Sequence, residues 1–233
     1  MEPLVHNRLR FVILTFLMTL CLQTSPAMAA NLPSGFVYVR EIIPAISVDL
    51  RYSGNNNFVG ARIDGYAGSD AILTERAARA LAKVQSELAI RSLGLRIFDA
   101  YRPKRGVRHF FRWASDPRDK RTQPDYYPGL EKRDLFREGY IARRSSHTRG
   151  STVDLTLIDL HTGAELDMGS PFDFFGPVSW TDWGRITPQQ KANRHLLRQM
   201  MMKHGFRPYR MEWWHFTLRN EPFPRTYFDF EVR

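Results

Sequence analysis

Three short stretches of this chain carry residue types at spacings that chemistry can use. The first is Glu212-Trp213-Trp214-His215. A histidine can bind a metal through one ring nitrogen, and a nearby glutamate can stay off the metal and take a proton from bound water. The same stretch also reads as an aromatic core strand with a hydrogen-bonded histidine. The second runs from Ser145 through His147 and Gly150 to Asp154. Small residues and a glycine between His147 and Asp154 allow a tight bend that brings both onto one metal, or simply into a structural hydrogen bond. The third is Asp99-Ala100-Tyr101-Arg102-Pro103. Water attack on an amide builds negative charge on the carbonyl oxygen, and an arginine fixed at a strand end can stabilise it. The plainer alternative is a surface arginine in a proline turn. Taken together, the stretches offer two histidines, one aspartate and a spare glutamate. A catalytic zinc takes three protein ligands and leaves a fourth position for water.

Those residues need a scaffold that brings distant segments together. Phe36–Arg40 and Ser47–Tyr52 alternate as strands do, and Ser53–Asn57 is a polar turn. Thr74–Leu93 places Ala77, Leu81, Val84 and Leu88 on one helical stripe. Leu95–Tyr101 and Val153–Leu160 read as strands, Gly106–Ala114 as a short helix, and residues 116–140 as a long surface excursion. Thr187-Pro188 opens a helix with Ala192, Leu196 and Met200 on one face and a stop at His204-Gly205. Phe206–Leu218 then reads as one final strand. Strands and helices come in blocks without regular alternation, which predicts an α+β domain with a central antiparallel sheet flanked by helices. His109, beside two phenylalanines, is expected to pack in its helix; His161 falls in a hairpin turn, and His195 and His204 lie on the late helix.

The three chemical stretches, in this order and spacing, resemble the zinc D-alanyl-D-alanine dipeptidases, within the wider D,D-peptidase and Hedgehog-like fold group. Asp49-Leu50-Arg51-Tyr52 with Asn57-Phe58, the loop Asp167–Asp173, and Gly205-Phe206 extend the resemblance over nearly all of residues 30–233. It implies that His147, Asp154 and His215 bind one zinc per chain. It implies Glu212 as general base and then acid, and Arg102 as the stabiliser of the tetrahedral intermediate. Ser145, Asp173 and Tyr52 would lie around the substrate, with Asp99 supporting Arg102. The implied reaction is hydrolysis of free D-Ala-D-Ala. Two alternatives stay open: a D,D-carboxypeptidase acting on peptidoglycan stem peptides, and a non-catalytic cell-wall or metal-binding module, for which Glu212 has no use.

Composition bounds the rest. With 233 residues, 43% hydrophobic and 13% aromatic, and a mean hydropathy of −0.40, the chain suits one soluble folded domain. Arg8 and Arg10, the apolar run Phe11–Leu22 and the small-residue site Ala27-Met28-Ala29 read in order as a secretory signal peptide over residues 1–29. The apolar run is too short for a stable membrane anchor. Export, to the periplasm, is therefore expected. Cleavage after Ala29 removes Cys21, the only cysteine, so no disulfide is available to the remainder. The formal charge of +10 is scattered, without a recognition helix or RNA-binding aromatic motif, so nucleic acid is not an expected partner. A small D,D-dipeptide is; oligomeric state is left open.

Overall fold

The computed structural model describes residues 32–233. The expected signal peptide lies outside them. In chain order the elements are β1 (Phe36–Tyr38), α1 (Val39–Ile42), β2 (Ser47–Val48), β3 (Ile72–Thr74), α2 (Glu75–Ala89), β4 (Leu93–Asp99) and α3 (Lys104–Ala114), then α4 (Gln123–Tyr126), α5 (Lys132–Arg137), β5 (Thr152–Asp159), α6 (Pro188–Lys203), β6 (Phe206–Tyr209) and β7 (Glu212–Leu218). β2, β4, β5, β7 and β6 form one five-stranded sheet in that order, and β1 pairs with β3 in a small second sheet. This is the expected α+β domain. No described helix is long and apolar enough to cross a membrane.

The sheet is antiparallel except at one edge, where the two-residue β2 runs parallel to β4. The chain can reach that edge in parallel because β3 and α2 intervene before β4, a connection of the length a parallel pair requires. Phe206–Leu218 is also not one strand. It is a hairpin, β6–β7, that turns at Arg210-Met211. That turn carries no glycine or asparagine to betray it.

α2 and α6 pack on the sheet and on each other. α2 buries the stripe expected of it, Ala77, Leu81, Val84 and Leu88, and Thr74 caps its start by accepting from the Ala77 amide. In α6 the cap is as expected, with Thr187 and Gln190 forming a reciprocal capping box. Its buried face is different. Met200 is buried as expected, but Ala192 is exposed and Leu196 only half-buried, while Asn193, Arg194, Leu197 and Met201 are buried. The reason is polar. Arg194 donates to the carbonyls of Met168, Val178 and Trp180, and Asn193 donates to that of Asp167. Burial lowers the Arg194 pKa to about 10, so the guanidinium stays charged while it ties the loop after β5 to the helix.

Residues 116–140 do more than cover the surface. They contain α4 and α5, and Tyr127 and Leu135 are fully buried. Lys132 is buried too, donating to the Trp113 carbonyl at 2.8 Å with its ammonium 4.0 Å from the Trp113 ring centroid. Charge density concealed this packing, because a lysine stem can bury while its head finds one acceptor.

Candidate metal centre and active site

Strand register builds the site. Asp99, Asp154 and His215 are direct partners across β4, β5 and β7, so they form one rung of the sheet. β4 meets β5 with a one-residue irregularity between Ile97 and Asp99. Without that extra residue, Phe98 would face Asp154, since a one-residue slip in register exchanges the faces of a strand. A larger irregularity lies in the hairpin: Pro208 pairs with Phe216, but Tyr209 pairs with Glu212. Residues three apart on a regular strand point to opposite faces. The break in pairing lifts that constraint, and Glu212 Oε2 comes within 3.4 Å of His215 Nδ1.

His147 arrives from a different element. It sits in a single 3-10 turn, Ser146–Arg149, capped by Ser145 Oγ, which accepts from the His147 amide at 3.2 Å. Gly150 ends the turn at φ +80°, and a Cβ there would fall 2.1 Å from the Phe36 ring. Glycine is therefore required twice, for the left-handed backbone and for the close approach. The His147 ring is oriented by the Ala100 carbonyl, 2.7 Å from Nδ1. A carbonyl only accepts, so Nδ1 carries the proton and Nε2 presents its lone pair to the site.

There the donor atoms converge. His147 Nε2 is 3.2 Å from Asp154 Oδ2, His215 Nδ1 is 3.0 Å from Asp154 Oδ1, and the two ring nitrogens are 3.3 Å apart. All three ligand atoms lie within 4.8 Å of one another. Asp154 Oδ1 is buried and has no hydrogen-bond partner among the described residues. A buried carboxylate oxygen and two imidazole nitrogens facing each other at this spacing are what a divalent cation requires of a protein. The residues thus fit a metal. Burial opposes charge on Asp154, but the two imidazoles outweigh it and hold its pKa below the usual carboxylate range.

Arg102 closes the rear of the site. Its Nη2 lies 2.8 Å from Asp99 Oδ2 and 3.7 Å from Asp154 Oδ2, and its guanidinium stands about 5 Å from the ring centroids of both Tyr52 and Phe110. Asp99 accepts in addition from Tyr66, whose hydroxyl is 2.6 Å away. Asp99 itself is fully buried behind Arg102 and does not line the cavity.

In front of these groups is a cavity of about 420 Å³, within the range of small-molecule sites. Tyr52, Arg102, Ser145, His147, Asp154, Asp173, Glu212 and His215 all line it. Asp173 is 5% exposed, adopts a left-handed backbone at φ +63°, and accepts a 2.9 Å hydrogen bond from Tyr52. Burial, and then the charge of Asp154, raise its pKa well above the ordinary value. Burial likewise lifts Glu212 to about 7, with His215 pulling the other way.

Several contributors escaped the sequence reading. Tyr66 anchors Asp99, the Ala100 carbonyl fixes the His147 ring, and Ser146 Oγ stands 3.3 Å from His215 Nε2. Phe58, Tyr140, Phe175 and Tyr209 form apolar walls. Only Ala100 and Ser146 lie inside a chemical stretch, and nothing in their residue types marks them.

A His/Asp/His cluster with an adjacent half-buried carboxylate, an arginine behind it and a cavity in front is the equipment of a metal-dependent hydrolase. The comparisons make this particular. A family model described as D-ala-D-ala dipeptidase matches residues 33–233. Proteins named D-alanyl-D-alanine dipeptidase from Enterococcus faecalis and Streptomyces coelicolor are 43% and 41% identical to the chain, over 85% and 84% of its length and 98% of theirs. One of the same name from Escherichia coli is 33% identical over 76% of the chain and 81% of its own length. The chain belongs to the D-ala-D-ala dipeptidase family and is a metallopeptidase.

Proposed function

We propose that this enzyme hydrolyses free D-Ala-D-Ala to two D-alanines with one zinc ion held by His147, Asp154 and His215. The observation that carries the reading is the Glu212 carboxylate placed 3.4 Å from a ligand nitrogen yet outside the ligand set, in a cavity sized for a small molecule. Zinc, when bound, supplies a Lewis acid and lowers the pKa of the attacking water. The protein's own residues do the rest. Glu212, raised to about 7 chiefly by burial, has a proton affinity suited to taking a proton and returning it to the leaving amine. Arg102, held rigid by Asp99, presents fixed positive charge where negative charge develops on the substrate carbonyl oxygen. Asp173, with Tyr52, offers a buried acidic group to the substrate ammonium, and Ser145 faces the cavity as a hydroxyl for the carboxylate.

Residues 1–29 support export before action, which would set the enzyme beside the cell wall, in the periplasm. The test is D-alanine release from D-Ala-D-Ala by the purified protein, as isolated, after chelation, and after zinc is restored. Activity that disappears on chelation and returns with zinc is expected. Activity indifferent to chelation removes the zinc reading. Equal cleavage of a stem pentapeptide reassigns the enzyme as a carboxypeptidase.

A further inference from the structure

Beside the catalytic cavity lies a second one of about 340 Å³ whose lining is basic. Lys104 and Arg108 contribute from α3, Arg143 and Arg144 from the segment before the His147 turn, and Arg225 from the C-terminal segment. Arg144 and Ser145 line both cavities, so the two share a wall. Among the described residues, no aspartate or glutamate lines the smaller one. Asp229 offsets Arg108 at 3.2 Å, but among the described residues Lys104, Arg143, Arg144 and Arg225 have no carboxylate partner.

Two independent features point to an anionic ligand. Thr148 also lines this cavity; it is 1% exposed, and its hydroxyl has no hydrogen-bond partner among the described residues. Buried hydroxyls are normally bonded, so this one leaves an unmet polar need in the wall of the cavity. The second feature is the first turn of α3, which holds Lys104 and Arg105 and no acidic residue. A helix N-terminus favours negative charge, so two cations there are a local cost. Asp229 relieves Arg105, while Lys104 is left without relief. The Lys104 and Arg105 amides are already bonded, to Phe228 O and Asp229 Oδ1, so recognition here falls to side chains.

We infer that the basic cavity is an oxyanion subsite for the side chain of the substrate's C-terminal residue, and that the enzyme therefore accepts D,D-dipeptides ending in an acidic residue. The orientation follows from charge. Asp173, which the dipeptidase reading pairs with the substrate ammonium, lines the catalytic cavity, whereas Arg144 and Ser145 border the basic cavity. The carboxylate-bearing end of a dipeptide turns toward the cations, and the side chain of that residue is then the group nearest the subsite. This inference rests on the dipeptidase reading.

The experiment compares kcat/KM for D-Ala-D-Glu with its neutral isostere D-Ala-D-Gln, in low salt, using wild type and the Lys104→Gln/Arg225→Gln variant. Wild type should prefer the acidic dipeptide by about tenfold, a fair expectation for several converging but solvent-exposed cations. The variant should lose most of that preference while cleaving D-Ala-D-Ala at the wild-type rate. Arg225→Gln alone, at an exposed position, should lose part of it and serves if the double variant fails to fold. Absence of the preference in wild type, or its survival in the variant, overturns the inference. So does inorganic phosphate that inhibits D-Ala-D-Glu and D-Ala-D-Ala equally, which would assign the cations to a free anion. Failure of wild type to cleave D-Ala-D-Ala would instead remove the parent reading.

Discussion

Glu212 Oε2 lies 3.4 Å from His215 Nδ1, although strand alternation alone would send these residues to opposite faces of the sheet. The reconciliation is the pairing break between Pro208 and Tyr209, which leaves Trp213, Trp214 and His215 without β6 partners. The proposed ligand and the proposed proton carrier thus share one cavity, while Trp214 is buried and Trp213 is pinned by Ser170 at 2.9 Å. Bulges are a recurrent way of re-aiming a side chain beside a site.

Because the three donor atoms crowd one another, removal of any one should collapse metal binding. His147→Ala, Asp154→Ala and His215→Ala are each expected to lose bound zinc and activity together, against one zinc per wild-type chain. Metal content by elemental analysis checks this. Full zinc occupancy in the His215→Ala protein would sink the ligand assignment.

Glu212 should separate from that group. It stands beside the donors without belonging to them, so Glu212→Gln is expected to keep its zinc and lose turnover by about 10²–10⁴-fold, the usual worth of a positioned acid–base group. Steady-state kinetics and metal content on the same sample decide it. A near-normal rate in Glu212→Gln would contradict its role.

Asp99 offers a test of positioning. It touches Arg102 at 2.8 Å and Tyr66 at 2.6 Å but has no exposure to the cavity. Asp99→Asn keeps the shape and removes the charge that holds the guanidinium. We expect kcat to fall more than KM rises, since Arg102 acts on charge that appears only during reaction. Arg102→Ala should cost about 10²–10³-fold in kcat. Arg102→Lys should recover little, because an ammonium cannot reproduce a planar fork clamped by one carboxylate. Rescue by lysine to within a few fold of wild type would count against this account.

The chemistry was legible in the sequence because its residues cluster in short segments whose types and order survive without any knowledge of the fold. What brings the segments together was not. The rung of Asp99, Asp154 and His215 depends on a one-residue bulge in β4, and no residue type announces it. The hairpin turn at Arg210-Met211 lacks the usual turn residues, so β6 and β7 read as one strand. In α6 the apolar pattern favoured Ala192, Leu196 and Met200; Met200 is buried, but the carbonyls of the preceding loop recruited Arg194 and turned Ala192 outward. Local propensity and period carry such elements; long-range polar contacts decide which face turns inward.

Gly150 joins backbone geometry to the site. With φ at +80° and the Phe36 ring 2.1 Å from where a Cβ would sit, Gly150→Ala must both strain the backbone and displace a packed aromatic. A left-handed alanine costs about 1–2 kcal/mol and core overpacking about 1–3, so a destabilisation of about 2–5 kcal/mol is expected. Since the turn also places His147, zinc affinity should fall as well. Denaturant unfolding and a zinc titration read the two effects separately, and an alanine variant with unchanged stability would contradict the packing described.

The last prediction concerns the amine end of the substrate. Asp173 is buried, and its backbone is held in a left-handed conformation that non-glycine residues seldom adopt. Its pKa stands well above the usual range, because burial and then the charge of Asp154 both disfavour the carboxylate. Among the described residues, the Tyr52 hydroxyl is the one hydrogen-bond donor to its side chain. A substrate ammonium would supply the missing counter-charge, so binding and ionisation of Asp173 support each other. An acetylated amine supplies none and adds bulk. Leaving one partner of a buried pair without the other costs about 3–5 kcal/mol, or about two to three and a half powers of ten. N-acetyl-D-Ala-D-Ala should therefore be cleaved at least about a hundredfold less efficiently than D-Ala-D-Ala. Asp173→Ala should weaken the free dipeptide far more than the acetylated one and so narrow the gap. Tyr52→Phe should act in the same direction as Asp173→Ala but more mildly, since it removes one hydrogen bond and leaves the carboxyl in place. The measurement is kcat/KM for both substrates with all three proteins. Comparable cleavage of the two substrates by wild type would show that the amine is not read, and would release Asp173 from any part in selecting it.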